Sequence, residues 1–235
     1  MHCHKNFTIR FALLSCALLV GGCASTGSNE GLRYVEDRMS YDGLTLVEGT
    51  TMRTVWVRRN SSIDQYTKIR FDGAGIKYTP VKPVARSNFA PMRSNEFPIP
   101  KENRAKLEEV LSGSLREHLS QLKNYEITEA DGADVMLVRI GVFDVVSRVP
   151  PPRAGRSEVY LDEVGKATLM VEVQDSLSGA VIVRAVDRRA AEPSSEMFRS
   201  NTVRNWSEVQ QLADFWGSIT RDGLDSLQSD LASLR

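Results

Sequence analysis

The sequence predicts an α/β protein of the α+β type, a two-layer sandwich whose mainly antiparallel sheet carries two amphipathic helices on one face. Three observations carry this expectation. Short segments with apolar residues at every second position recur between Arg53 and Asp187. Two of these segments flank the turn Asp175-Ser176-Leu177-Ser178-Gly179, so they pair as a hairpin. Two longer segments repeat apolar residues every third or fourth position, which places a stripe along one side of a helix. A sheet that is apolar on one face needs a covering layer, and the two helices supply it.

The 235-residue chain opens on a segment of another kind. Lys5 and Arg10 form a positive leader, and no acidic residue precedes Glu30. Phe11 to Val20 is then almost wholly apolar. That is shorter than the roughly 20 apolar residues a bilayer span requires. Its length and flanks are those of an export signal. Val20-Gly21-Gly22-Cys23 follows and resembles the lipobox of bacterial lipoproteins, with Val20 where leucine is commonest. The resemblance implies cleavage between Gly22 and Cys23. It also implies a thioether-linked diacylglycerol and a further acyl chain on Cys23. One acyl chain anchors only marginally at ~0.8 kcal/mol per buried methylene, whereas two or more hold firmly.

The expected organisation is therefore a signal peptide over 1–22, a lipidated N-terminus and flexible tether over 23–40, and a single globular periplasmic domain over 41–235. Processing leaves the folded body without a thiol, because Cys3 and Cys16 depart and Cys23 is acylated. His2 and His4 depart too, leaving His118. Loss of Lys5 and Arg10 leaves 28 basic residues against 30 acidic ones, a net charge near −2. That balance gives no reason to expect a nucleic-acid partner.

The elements follow in order. Ala24 to about Ser40 is small and polar and reads as the tether. Tyr41-Asp42-Gly43-Leu44 is a turn. Arg53 to Arg58 is a short strand with Val55 and Val57 opposite Thr54 and Trp56. Tyr66 to Phe71 is a second, and Gly73 and Gly75 mark a bulge before Ile76 to Thr79 continues it. Pro80 to Pro100 is a loop, and Pro100 suits the first helical position. Leu107, Leu111, Leu115, Leu119 and Leu122 then make one apolar stripe. Tyr125 to Thr128 is a short strand. Val135 to Val146 is a central one, with Met136, Val138, Ile140 and Val142 on one face and Val145 on the other. An irregular excursion from Ser147 to Gly165 leads to the paired strands Ala167–Val173 and Val181–Asp187. Asn205 and Glu208 read as a capping box for the last helix. Trp206, Ala213, Trp216, Ile219, Leu224 and Leu231 lie on its buried side. Gly217 and Gly223 each weaken that helix by roughly 1 kcal/mol, so they suggest close approach to the sheet or a bend.

Several segments together resemble an uncharacterised bacterial lipoprotein family, domain of unknown function 3313. They are Tyr41-Asp42-Gly43-Leu44, Val55-Trp56-Val57-Arg58, Tyr66-Thr67-Lys68-Ile69 and Ala133 to Ile140. Val164-Gly165-Lys166-Ala167, the turn at Asp175 to Gly179, Ala185 to Arg189 and the helix from Trp206 to Leu227 complete the order. Ser178 stands where threonine is commoner. The family implies an envelope lipoprotein and supplies no catalytic residue.

Candidate chemistry is sparse. His118 lies on or beside a helical stripe, which favours a packing role. No Gly-x-Ser-x-Gly elbow is present to hold a nucleophile. Glu108-Glu109 and Asp162-Glu163 are adjacent pairs of the solvated kind, and Gly73-Ala74-Gly75 lacks the lysine of a phosphate loop. Asp187, Arg188 and Arg189, near Arg184, suggest ion pairs at a sheet edge or a site for an anion. Trp56 lies on the polar side of its strand, so it is the aromatic whose exposure is to be checked. The best candidate for binding is the excursion, through Pro150, Pro151, Pro152, Arg153 and Tyr160, because prolines limit the entropy of ordering a protruding loop.

The sequence thus predicts a non-enzymatic accessory or interaction module with no cofactor beyond its acyl chains. Its partners would be membrane lipid, through Cys23, and an envelope protein. Ala24 follows Cys23 in place of the aspartate that marks inner-membrane retention in enteric bacteria, which favours the outer membrane, facing the periplasm. Two alternatives stand beside this one. A periplasmic hydrolase using carboxylates requires a pocket with converging acidic groups. A lipid or small-ligand binder requires a large cavity beneath the Trp206 to Leu231 helix.

Overall fold

The computed structural model describes residues 31–81, 96–151, 158–193 and 197–234. Four strands come first, β1 (Arg33–Met39), β2 (Thr45–Glu48), β3 (Thr54–Val57) and β4 (Lys68–Tyr78). Helix α1 (Lys101–Leu119) and strands β5 (Glu126–Ile127) and β6 (Val135–Ser147) follow. Then come β7 (Tyr160–Leu161), β8 (Gly165–Asp175), β9 (Val181–Ala191), β10 (Phe198–Arg199) and helix α2 (Thr202–Ser233). Eight strands make one sheet in the order β1-β2-β3-β9-β8-β6-β4-β5, and β7 pairs with β10 beside it.

The sheet is mostly antiparallel, as predicted. β4 is the exception, parallel to both β5 and β6. A parallel return needs a long crossover, and α1 provides it between β4 and its neighbours. The predicted hairpin joins β8 to β9. Its turn is held by Asp175, whose Oδ1 accepts from the Ser178 N–H at 2.7 Å, and by Gly179 at φ +69.

Both helices lie against the same face of the sheet. The core between the layers gathers Ile69, Met136, Val138, Leu169, Val171 and Val183 from the strands. Leu111, Leu119, Trp216, Ile219 and Leu224 meet them from the helices. Bulges adjust two of the strands. At Gly75, φ +77 accompanies a register shift between β4 and β6, at the place the glycines mark. In β6, Asp144 takes φ +53 and shifts the register against β8. The extra residue turns Val145 onto the core side with Val142, against the strict alternation read from sequence.

Other expectations need correction. The region 23–40 read as tether includes β1, which adds to β2 as an edge strand. Its side chains are mostly exposed, so it carries no apolar alternation to announce it. The cap of α2 is Asn201, not Asn205: its side-chain oxygen accepts from the Arg204 N–H at 2.9 Å. Glu208 is buried within the helix rather than closing a capping box. Pro100 occupies the N-cap of α1, one residue before the predicted position. Asp187 lies in β9, an interior strand, not at an edge.

Gly217 does mark a close approach, but to α1 rather than the sheet. A Cβ there would sit 2.5 Å from Cδ2 of His118. His118 therefore packs between the helices, and its Nδ1 is buried without a partner. Trp56 is half-buried on the sheet face away from the helices, in cross-strand register with Leu46 and Arg184.

Candidate functional site

The site is built where both helices begin. β6 ends at Ser147 and β8 starts at Gly165, so the excursion between them leaves the sheet at one end. The N-terminal turns of α1 and α2 reach that same end. Between these elements lies a partly open cavity of about 350 Å³. Leu107 and Leu111 of α1, Val142 and Val145 of β6, and Val209 and Trp216 of α2 line it.

The surroundings hold this end in place. Gly165 allows β8 to press on β6, since a Cβ there would lie 2.3 Å from the Val146 carbonyl oxygen. Leu161, Val164, Ala191 and Phe198 form a second small core beneath the β7–β10 pair. Arg104 donates through Nε to the Ile99 carbonyl at 3.0 Å and lays its guanidinium 4.6 Å from the centre of the Tyr78 ring. That ties the segment before α1 to the sheet. Lys106 stands 4.6 Å over the ring of Trp206, which also lines the cavity. Glu163 binds Arg148 at 2.9 Å and Lys166 at 3.1 Å, close by.

The polar lining is Asn103, Ser147, Lys166, Thr202 and Asn205, with no carboxylate among the described residues. Ser147 Oγ accepts from the Val149 N–H at 3.1 Å. His118 lies eleven residues beyond Leu107 on α1, about 16 Å along the axis. Glu108 and Glu109 are exposed on α1. The geometry thus brings together apolar surface, four neutral hydrogen-bonding groups and Lys166, whose charge is paired with Glu163 at 3.1 Å. It suits retention of an apolar molecule, which is the usual composition of a ligand pocket.

Of the predicted binding loop, Pro150 and Pro151 line this cavity. Tyr160 does not; it is 53% exposed and its hydroxyl donates to Glu158 at 3.1 Å. Pro152 and Arg153 lie outside the described residues, as do Gly22 and Cys23. The contributions of α1 and of Trp206 went unseen in the sequence, where both read as core stripe. A helix residue in the first turn over a core looks the same whether the space below is filled or not.

The charged cluster near Arg184 has two separate destinations. Asp187, 0% exposed, accepts from Trp216 Nε1 at 2.9 Å, from the Arg53 N–H at 3.2 Å and from Arg189 Nε. It is a satisfied internal tie between β9 and α2, not an anion site. Arg184 faces the other side of the sheet and holds Asp42 through both carboxylate oxygens, at 3.2 and 2.7 Å. The Arg184 hydrogen bonds, with help from Ser40, hold the Asp42 carboxyl down at about 2.

Among the described residues no helix is long and apolar enough to cross a membrane, and no cluster of potential metal ligands occurs. A family model described as "Protein of unknown function (DUF3313)" matches residues 34–219, from β1 into α2. No curated protein matches the chain. Solved structures that the chain matches include a PelC dodecamer from Paraburkholderia phytofirmans, at 14% identity over 71% of this chain and 96% of that chain, with a TM-score of 0.31. A minor lipoprotein from Acinetobacter baumannii is 12% identical over 69% and 95%, with a TM-score of 0.33. A DUF330 protein from Xanthomonas campestris is 15% identical over 72% and 88%, with a TM-score of 0.34.

Proposed function

This chain belongs to the DUF3313 family of proteins of unknown function, and from that premise we propose that it is a non-catalytic binding module tethered by lipid in a bacterial envelope. The tether is Cys23, for the reasons its leader and lipobox provide. The membrane proposed is the outer one, with the folded body in the periplasm. The observation that carries the binding role is the cavity of about 350 Å³ whose walls are apolar and which opens beside Pro150 and Pro151. Its occupant is a small apolar ligand or lipid-like group with few charges, because the lining is mostly apolar and its one charged side chain, Lys166, is already paired with Glu163. The envelope protein partner expected from the sequence is proposed for the exposed surface of β7, where Tyr160 is 53% exposed.

A non-catalytic role is favoured over hydrolysis by carboxylates. Among the described residues the cavity lining holds neither a carboxylate nor a histidine. Acid–base chemistry requires groups within hydrogen-bond reach of a bound substrate.

Two experiments test this reading. Fatty-acid labelling of the full chain is expected to disappear in Cys23→Ser; persistent label would remove the anchor from Cys23. The Cys23→Ser protein is expected to bind the uncharged probe N-phenyl-1-naphthylamine saturably, and Leu107→Trp, which fills the cavity, is expected to abolish that binding. Undiminished binding in Leu107→Trp would show that the cavity is not the site.

A further inference from the structure

A second apolar space lies at the other end of α2. Eight strands at about 4.8 Å spacing make a sheet roughly 34 Å wide, whereas two helices cover about 20 Å. Less helix is available for the β1–β2–β3 end, where Val47, Val55 and Val57 border a space. There a partly open groove of about 680 Å³ runs between α2 and the sheet. Val55, Val57, Val173 and Val183 form its floor, and Leu227 and Leu231 its wall. Thr220 lines it too, 2% exposed, with an Oγ1 that has no hydrogen-bond partner. Gly31 and Leu32, the first described residues, lie at this groove.

We propose that this groove receives one of the acyl chains carried by Cys23. The inference rests on the lipid anchor proposed above. Cys23 precedes Gly31 by eight residues, so an extended chain reaches at most about 28 Å from the groove. The intervening Ala24-Ser25-Thr26-Gly27-Ser28-Asn29-Glu30 is polar and offers nothing large and apolar to fill the space. The acyl chains of Cys23 are then the large apolar groups tied to this segment. Tethering raises their local concentration at the groove far above that of any free lipid. The Thr220 hydroxyl is a donor without an acceptor, and the carbonyl at the head of an acyl chain is an acceptor. One chain seated in the groove leaves the others for the membrane, drawing the β1–β3 end of the domain towards the bilayer.

The test uses the full chain in a bacterial host fed a fatty acid bearing a photoreactive diazirine. Illumination of intact envelopes is followed by mass spectrometry of the purified protein. The expected result is the acylated Cys23 peptide crosslinked to peptides of Ile219 to Leu234 or of β8. Crosslinking is expected to fall to background in Val55→Trp, which fills the floor, and in Leu32→Glu, which charges the mouth. Both replaced residues are half-buried, and thermal melts of the variants confirm folding. A Cys23 peptide without acyl label overturns the anchor and this inference with it. A labelled peptide whose crosslinks reach only phospholipid overturns the docking alone. Groove peptides crosslinked to phospholipid in place of Cys23 assign the groove to membrane lipid and also overturn it.

Discussion

Replacing Gly217 by alanine tests how the two helices pack. In an exposed helix interior the change stabilises by about 1 kcal/mol, because glycine loses more backbone entropy. Here the added Cβ would lie 2.5 Å from Cδ2, 2.9 Å from Cγ and 3.1 Å from Cβ of His118. The last of these atoms cannot swing away without moving the α1 backbone. Overpacking of this kind costs typically about 1–3 kcal/mol. The net expectation for Gly217→Ala is destabilisation of about 1 kcal/mol, near 2–4 °C in melting temperature for a domain of this size. In a His118→Ala background the contacts at 2.5 and 2.9 Å are removed and the one to Cβ at 3.1 Å remains, so the same substitution is expected to be near neutral or to stabilise by less than about 1 kcal/mol. The coupling in the double-mutant cycle is then about 1–2 kcal/mol. Urea denaturation of the four Cys23→Ser proteins measures it. Stabilisation by Gly217→Ala in both backgrounds, with no coupling, would refute the close helix contact.

Trp216→Phe keeps an aromatic ring in the core but removes a donor to the buried Asp187. A hydrogen bond to a charged group contributes about 1.5–3 kcal/mol, so a loss of about 2 kcal/mol is expected, while a change under half of that in the denaturation midpoint would mean Arg189 and the Arg53 N–H suffice. Asp42 links stability to acid pH. Its folded value of about 2 lies below its ordinary 3.8, so its contribution is present above about pH 4 and is lost as the pH falls through 2. Because solvent screens this half-buried pair, about 1 kcal/mol is expected, read as a smaller drop in stability between pH 6 and pH 2.5 for Asp42→Asn than for the parent. An identical acid profile in the two proteins would show that the Arg184 pairing is not coupled to folding.

Much of the fold was legible because its signals are local. The alternation in β3, β8 and β9 follows from a two-residue repeat, and the stripes of α1 and α2 from a 3.6-residue one. The turn at Asp175 to Gly179 carries its own hydrogen bonds and positive-φ glycine. What escaped the sequence depends on neighbours far along the chain. β1 has few buried side chains and exists because β2 offers an edge. Asn201 and Asn205 are chemically equal caps, and where the helix meets the β7–β10 end decides between them. Asp187 reads as one more surface charge beside Arg188 and Arg189 until Trp216 folds over it.

The candidate site divides in the same way. Its loop, through Pro150 and Pro151, stood out because proline clusters are a local feature. Its walls did not, because an apolar stripe reports that a face is turned inward and says nothing of whether the space it faces is filled.

The sequence by itself determined most strand and helix faces and the two-layer class, since these follow from short-period apolar repeats, and it alone carries the proposal of a leader and of an anchor at Cys23, which rests on charge order and the residues before the cysteine. Only the tertiary structure decided the parallel placement of β4 beside β6, the burial of Asp187 and the meeting of His118 with Gly217. It also decided where spaces remain between the two helices and the eight-stranded sheet. Those depend on the width and divergence of packed layers, and no local pattern encodes a distance between residues a hundred positions apart.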